Sequence, residues 1–409
     1  MSENKNVEKN DVAKNDLAKD EVAKNDVAEN NMARNEVVKD DMTQQLRKKV
    51  AEFGLPRVII LVFFFLLFVI AGAIGMNIPS FAGDVITRWG MWGILVLAMV
   101  PAIQSGIGPN FGVTIGVVGG LLGAVLSLEF RYRGFYEFAQ NEQFPALPGF
   151  VGLGVALVIG VGVAIFLGVL YGLLLNRVKG SEMAISVYVG FSAIALFNII
   201  WTILPVTSSV VILPGRGEGI RQMLNLQDDY GGVLDNFGRF QVNVFGFGNV
   251  DVRTGLLLLF FLMCLFMYLF TRSRTGMQMS SAGANPSYAR ASGINVDKMR
   301  VLGTTISTAL GAFGIIIYGQ SFGFVQMYNA PLMMGFTVVA SVLIGGATVR
   351  RARVFDVLLG AFLFNGILTI ALPLTNALLP DVPSLPEMLR LIITNGIILY
   401  ALSKAKGGR

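Results

Sequence analysis

From Arg57 onward, apolar runs long enough to cross a bilayer recur along the chain, separated by short polar or glycine-rich breaks. A crossing helix needs about 20 predominantly apolar residues at roughly 1.5 Å of rise each. By that measure the pattern predicts ten spans, at about 57–77, 89–107, 111–128, 150–176, 183–204, 254–271, 300–320, 333–349, 353–373 and 386–404. Gly106-Ile107-Gly108-Pro109-Asn110 interrupts a run too long for one crossing, and 333–349 also reads as two half-helices. The expected fold class is an all-α integral membrane protein, with residues 51–409 as its transmembrane domain.

Residues 9–42 follow a different rule, repeating every five positions as in Lys14-Asn15-Asp16-Leu17-Ala18 and Lys24-Asn25-Asp26-Val27-Ala28. Five residues advance about 140° on a helix, so the one aliphatic per repeat (Val12, Leu17, Val22, Val27, Met32, Val37, Met42) winds around the axis without forming a face. Balanced charge without aromatics predicts a disordered, low-complexity tail over residues 1–50, with docking to a partner as the functional alternative. The first apolar run follows Arg47-Lys48-Lys49 and Arg57 and is too long for the core of a secretory signal.

Charge then orients the bundle. The chain carries 32 Lys or Arg and 26 Asp or Glu; 10 and 11 of these lie in the first 50 residues, so the remainder holds 22 − 15 = +7. Short cytoplasmic loops collect Lys and Arg. Ten spans with the N-terminus inside place Arg177, Lys179, Arg272, Arg274, Arg290, Lys298, Arg300, Arg350, Arg351, Arg353, Lys404, Lys406 and Arg409 at the inner side. The outer segments 128–149 and 205–253 offset their Arg with Glu129, Glu137, Glu142, Asp228, Asp229, Asp235 and Asp251. An N-in, C-in arrangement follows, with 205–253 as an extracytoplasmic cap. No basic stretch is long enough to suggest a nucleic-acid surface, and a chain with 14% charged residues is too apolar for a soluble enzyme.

Absent residue types exclude several chemistries. Without histidine, imidazole bases, Ser/His/Asp triads and His-ligated metals cannot be built. The single cysteine, Cys264, permits neither an internal disulfide nor a cysteine zinc site. Gly-Lys followed by Ser or Thr does not occur, so the phosphate-cradling loop of a nucleotide hydrolase is missing and any ATP must be hydrolysed by a partner.

The inner loop 272–300 carries the strongest local signal. Asn285 can cap a helix opened by Pro286, and Gly293 can stop it, which predicts about two turns at the membrane surface. Gly283-x-Asn285-Pro286-x-x-Ala289-Arg290-x-Ser292-Gly293-Ile294 resembles the coupling-loop motif of permease subunits in the ABC importers that handle ribose-type sugars, nucleosides and branched-chain amino acids. The likeness spans most of 57–404, includes Leu343-Ile344-Gly345-Gly346, and in Lys179-Gly-Ser-Glu182 through Asn198-Ile-Ile-Trp201 leans toward the nucleoside and simple-sugar branch. Ala347-Thr-Val-Arg350-Arg351-Ala-Arg353 and the tail depart from the pattern. The resemblance implies an ABC importer permease fold in a bacterial-type plasma membrane. Implied partners are a cytoplasmic ABC ATPase, a second permease chain and an extracytoplasmic substrate-binding protein; no cofactor is expected on this chain. It also implies that Gly283, Asn285, Pro286, Ala289, Arg290, Ser292, Gly293 and Ile294 contact the ATPase.

Glycines within spans read mainly as close helix packing. Uncharged polar groups inside spans are the better pathway candidates, because each needs a partner or water when buried. These are Asn110, Thr114, Ser186, Asn198, Gln320, Asn365 and Thr369, with Asn395 in the last span. Ionisable groups stay near span ends (Glu182, Asp356, Arg390), which suits an uncharged sugar or nucleoside. Transport of branched-chain amino acids and ion-coupled secondary transport are the alternatives.

Overall fold

The computed structural model describes residues 55–137, 145–180, 182–204, 223–243, 249–328 and 330–378, with six scattered positions between 385 and 396. The repeat tail, most of the expected span 386–404, and residues 205–222 and 244–248 of the cap lie outside the described residues.

The elements are α1 Leu55–Ala73, α2 Ile78–Leu97, α3 Met99–Gln104, α4 Val113–Tyr132, α5 Leu147–Arg177 and α6 Glu182–Ile203. A small outer region follows, with β1 Met223–Asn225, α7 Val233–Asn236, β2 Phe240–Asn243 and β3 Asn249–Val252. The chain continues through α8 Thr254–Arg272, α9 Arg274–Ala284, α10 Pro286–Ala291, α11 Val296–Phe322, β4 Phe324–Gln326, α12 Ala330–Ile344 and α13 Val354–Leu378.

Among the described residues seven helices are long and apolar enough to span a membrane, and Arg57–Ala73 and Ala330–Ile344 are shorter apolar helices. The count of ten is therefore not confirmed among the described residues, which omit most of 386–404. The segment expected at 89–107 starts at Ile78 and runs through α2 and α3 to Gln104. Asp84 and Arg88 hid its first turns from a hydropathy reading, and Asp84 is exposed near the outer end of α2. Pro101, which has no N–H to give Leu97, accounts for the joint between α2 and α3. With 15 residues, α12 is only about 22 Å long, short of a full crossing.

A tightly packed trio of α4, α5 and α11 forms the centre. Glycine makes it possible: a Cβ at Gly116 would overlap the Thr308 backbone of α11, and one at Gly123 would overlap Ala156 and Gly160 of α5. Small residues at such crossings let backbones touch, which is how helices associate where no hydrophobic drive separates helix from lipid. By contrast α5, α6 and α8 present wide apolar outer faces, with Phe166, Leu196, Ile199 and Leu265 more than half exposed.

Segments of like expected side gather at opposite ends of the bundle. At one end β1 pairs antiparallel with β4, Met223 opposite Gln326, and β2 pairs with β3. Arg131 forms an ion pair with Asp229 at 2.9 Å. Burial raises the Asp229 carboxyl above its ordinary range, opposed by that guanidinium. Buried Asp235 accepts from Arg253, from Ser321 Oγ at 2.6 Å and from Gln320 Nε2 at 3.2 Å. At the other end lie α9, α10, the α5–α6 turn and residues 345–353, where Gln104 Nε2 donates to the Ala352 carbonyl at 3.0 Å. The four short strands qualify the all-α expectation only at the outer end, where β3 packs on α2 and β4 on α11.

Candidate functional site

The local chemistry of 283–294 explains its shape. Asn285 is extended, and its side chain accepts the Tyr288 N–H at 3.0 Å, capping α10 with Pro286 in its first turn. At the other end Gly293 adopts φ 79°; its N–H reaches the Arg290 carbonyl at 3.0 Å and the Ile294 N–H reaches Ala289 at 2.9 Å. That is a Schellman closure, which needs a residue tolerant of the left-handed region. Ala289 is fully buried in a small core with Met279, Ala282, Val296 and Met299. The rest of α10 faces outward: Pro286, Ser287, Tyr288 and Arg290 are exposed. Tyr288, which the sequence pattern does not single out, is 66% exposed beside Arg290.

Gly283 has another task. A Cβ there would strike the backbone of Gln104 and Gly106, so the end of α9 lies directly on the break after α3. Within that break Gly106 and Gly108 take φ 83° and 87°. Residues 107–111 are buried among protein side chains, where non-helical backbone is tolerated at membrane depth. Gly345 works similarly: a Cβ there would overlap the Asp356 carbonyl and one at Gly360 the Ser341 carbonyl, so these two glycines allow α12 and α13 to cross in backbone contact.

Beyond the break, three of the pathway candidates come together. Asn110 is fully buried; its Oδ1 accepts the Gly112 N–H at 2.9 Å and the Tyr171 hydroxyl at 2.7 Å, while its Nδ2 has no partner. Ser186 lies near that hydroxyl, fully buried, and donates to the Met183 carbonyl at 2.6 Å. Thr114 donates to the Phe111 carbonyl at 3.1 Å and lines a narrow crevice with Phe111, Val187, Gly190, Leu332 and Phe336. The crevice holds only about 10 Å³, far below the roughly 300–1,000 Å³ of ligand pockets, so it is a constriction. Its lining carries no charge, and the Phe111 and Phe336 rings meet edge to face at 5.3 Å.

The other candidates lie elsewhere. Gln320 belongs to the Asp235 network at the outer end, with the Leu234 N–H donating to its Oε1 at 3.2 Å. Asn365 donates to Ala361 and Thr369 to Asn365 within α13. Asn198 is half-buried in the last two turns of α6, and Asn395 is exposed. Tyr171 is missing from the sequence-based candidates, although a tyrosine inside an apolar run has a hydroxyl to satisfy and could have been found on that ground.

The profile of a family described as branched-chain amino acid transport system, permease component, matches residues 81–402. Over 159 residues the chain is 27% identical to the nucleoside ABC transporter permease protein NupB of Lactococcus lactis subsp. cremoris (strain MG1363). That stretch covers 38% of this chain and 40% of the relative, so less than half of the relative's length is matched. No solved structure matches.

Proposed function

This chain belongs to the permease-component family of the branched-chain amino acid transport system, and on that premise we propose that it forms the pathway of an ATP-driven importer for a nucleoside or simple sugar. It is a multi-pass transport permease of the plasma membrane. Hydrolysis of ATP is assigned to a separate cytoplasmic ABC ATPase, so this chain itself acts without a bound cofactor. A second permease chain and an extracytoplasmic binding protein complete the assembly.

One observation carries the coupling role. The short helix α10 is capped at both ends and anchored by Ala289, yet presents Tyr288 and Arg290 outward. Such a rigid, exposed peg suits mechanical contact better than solute binding. In this reading Gly283, Asn285, Pro286, Ala289, Arg290, Ser292, Gly293 and Ile294 build the peg, and the contact with the ATPase is made through its exposed face.

For the solute, support comes from the neutral crevice at Thr114 and from the nucleoside assignment carried in the relative's name. A free amino acid would bring a carboxylate and an ammonium group to a lining without counter-charges, at a high desolvation cost. Asn110, Thr114 and Ser186 are proposed to line the pathway. Gln320, Asn365 and Thr369 are satisfied elsewhere, and Asn198 stands apart in α6.

Purification with associated chains tests the reading. Co-isolation of an ATPase, lost in Arg290→Glu and in Tyr288→Ala, is the expected result. Uptake of labelled uridine by this chain alone, driven by an ion gradient, would overturn it.

A further inference from the structure

The peg and the constriction are separate features of the fold, and something must join them. The Thr114 side of the crevice is faced by α6 through Val187, Gly190, Phe191 and Ile194. Gly190 lies so close that a Cβ there would meet Thr114 Oγ1 at 2.8 Å. A small movement of α6 therefore changes the crevice directly.

Along its length α6 packs on α4 and α12. Its first residue reaches elsewhere. Glu182 forms an ion pair with Arg300 in the second turn of α11, with side chains only 16% and 10% exposed. Three residues earlier Asp297 accepts Lys179 Nζ at 2.8 Å, from the turn leading into α6, and lies 3.9 Å from Arg290 of α10. The Asn176 side chain donates to the Asp297 carbonyl at 2.8 Å.

On the side of the peg, Ala289 shares its core with Val296 and Met299, so α10 and the start of α11 form one packed unit. Displacement of α10 thus carries Asp297 and Arg300 with it.

We infer that Glu182–Arg300, seconded by Lys179–Asp297, is the joint that passes movement of α10 to α6 and so to the constriction at Thr114. Glu182 and Arg300 are positioning residues, acting through Gly190 on the crevice, and touch no solute. Separating the pair would leave a buried charge without its partner, so it travels closed, as a rigid link. From Glu182 to Gly190 is about 12 Å along one helix, a distance over which a continuous helix moves as a body. The inference rests on the importer reading above.

The full complex with its ATPase and binding protein, in proteoliposomes, supplies the test, with ATP hydrolysis and uptake of labelled uridine read together. In Glu182→Arg and Arg300→Glu the ATPase should stay attached and hydrolysing while uridine taken up per ATP falls about tenfold, within the usual range of coupling between sites. The double reversal E182R/R300E should recover most of that ratio. Because the buried reversals can reduce folded protein, the exposed pair provides a second measure: K179E lowers the ratio and K179E/D297K restores it. A purely structural role would lower the amount of complex and both rates together, leaving the ratio intact. Unchanged ratios in the single reversals, or double reversals that recover nothing, overturn the joint. Failure of the importer reading looks different, since the wild-type chain would then carry no ATPase.

Discussion

Asn110 shows how much one buried side chain can organise. Its Oδ1 holds both the turn into α4, through Gly112, and the hydroxyl of Tyr171 on α5. A double-mutant cycle of Asn110→Ala and Tyr171→Phe, read by thermal unfolding in detergent, should return a coupling energy of about 1 kcal/mol, the scale of a buried neutral hydrogen bond. Additive single effects would place the two groups in independent roles. Sequence alone marks Asn110, Thr114 and Ser186 because polar groups in apolar runs are conspicuous. It equally marks Gln320, Asn365 and Thr369, which the fold satisfies at other places. Asn110 finds its partner Tyr171 61 residues away on another helix and Gln320 finds Asp235 85 residues away, whereas Asn365 and Thr369 bond four residues back in α13, and no local pattern tells these cases apart.

At the scale of elements, the capping residues of α10 are local and therefore legible: Asn285, Pro286 and Gly293 are close in sequence to the groups they satisfy. Asn285→Ala should cost about 1 kcal/mol of local stability and weaken ATPase retention; full retention would detach the cap from docking. Glycine within helices is less legible. Gly123 and Gly154 look alike in sequence, yet a Cβ at Gly123 would overlap the α5 backbone and one at Gly154 would meet nothing within 4 Å. Gly123→Ala should therefore destabilise by about 1–3 kcal/mol, while Gly154→Ala should be neutral or slightly stabilising through helix propensity. Equal effects in a detergent unfolding assay would contradict the packing of α4 on α5. The late start read for α2 has the same origin, since Asp84 and Arg88 lower local hydropathy although the helix continues through them.

For the whole molecule, the two ends of the bundle matter most. Segments assigned outside by charge and parity, 128–137 and 223–252, join one another through Arg131–Asp229 and through β1–β4 beyond α11. Segments assigned inside meet at the opposite end through Gly106–Gly283, Lys179–Asp297 and Gln104–Ala352. Among the described residues, the segments named here gather by three-dimensional contact into the same two groups into which loop charge divides them. The geometry is symmetric to inversion of the bilayer, so only the lysine and arginine bias assigns the inner face. Single cysteines in a Cys264→Ser background decide the matter. Asp228→Cys, on an exposed position of the cap, should react with a membrane-impermeant maleimide in intact cells. Tyr288→Cys on α10, equally accessible in the fold, should react only after the membrane is opened. Labelling at position 288 in intact cells would invert the bundle, and α10 could then no longer serve a cytoplasmic ATPase.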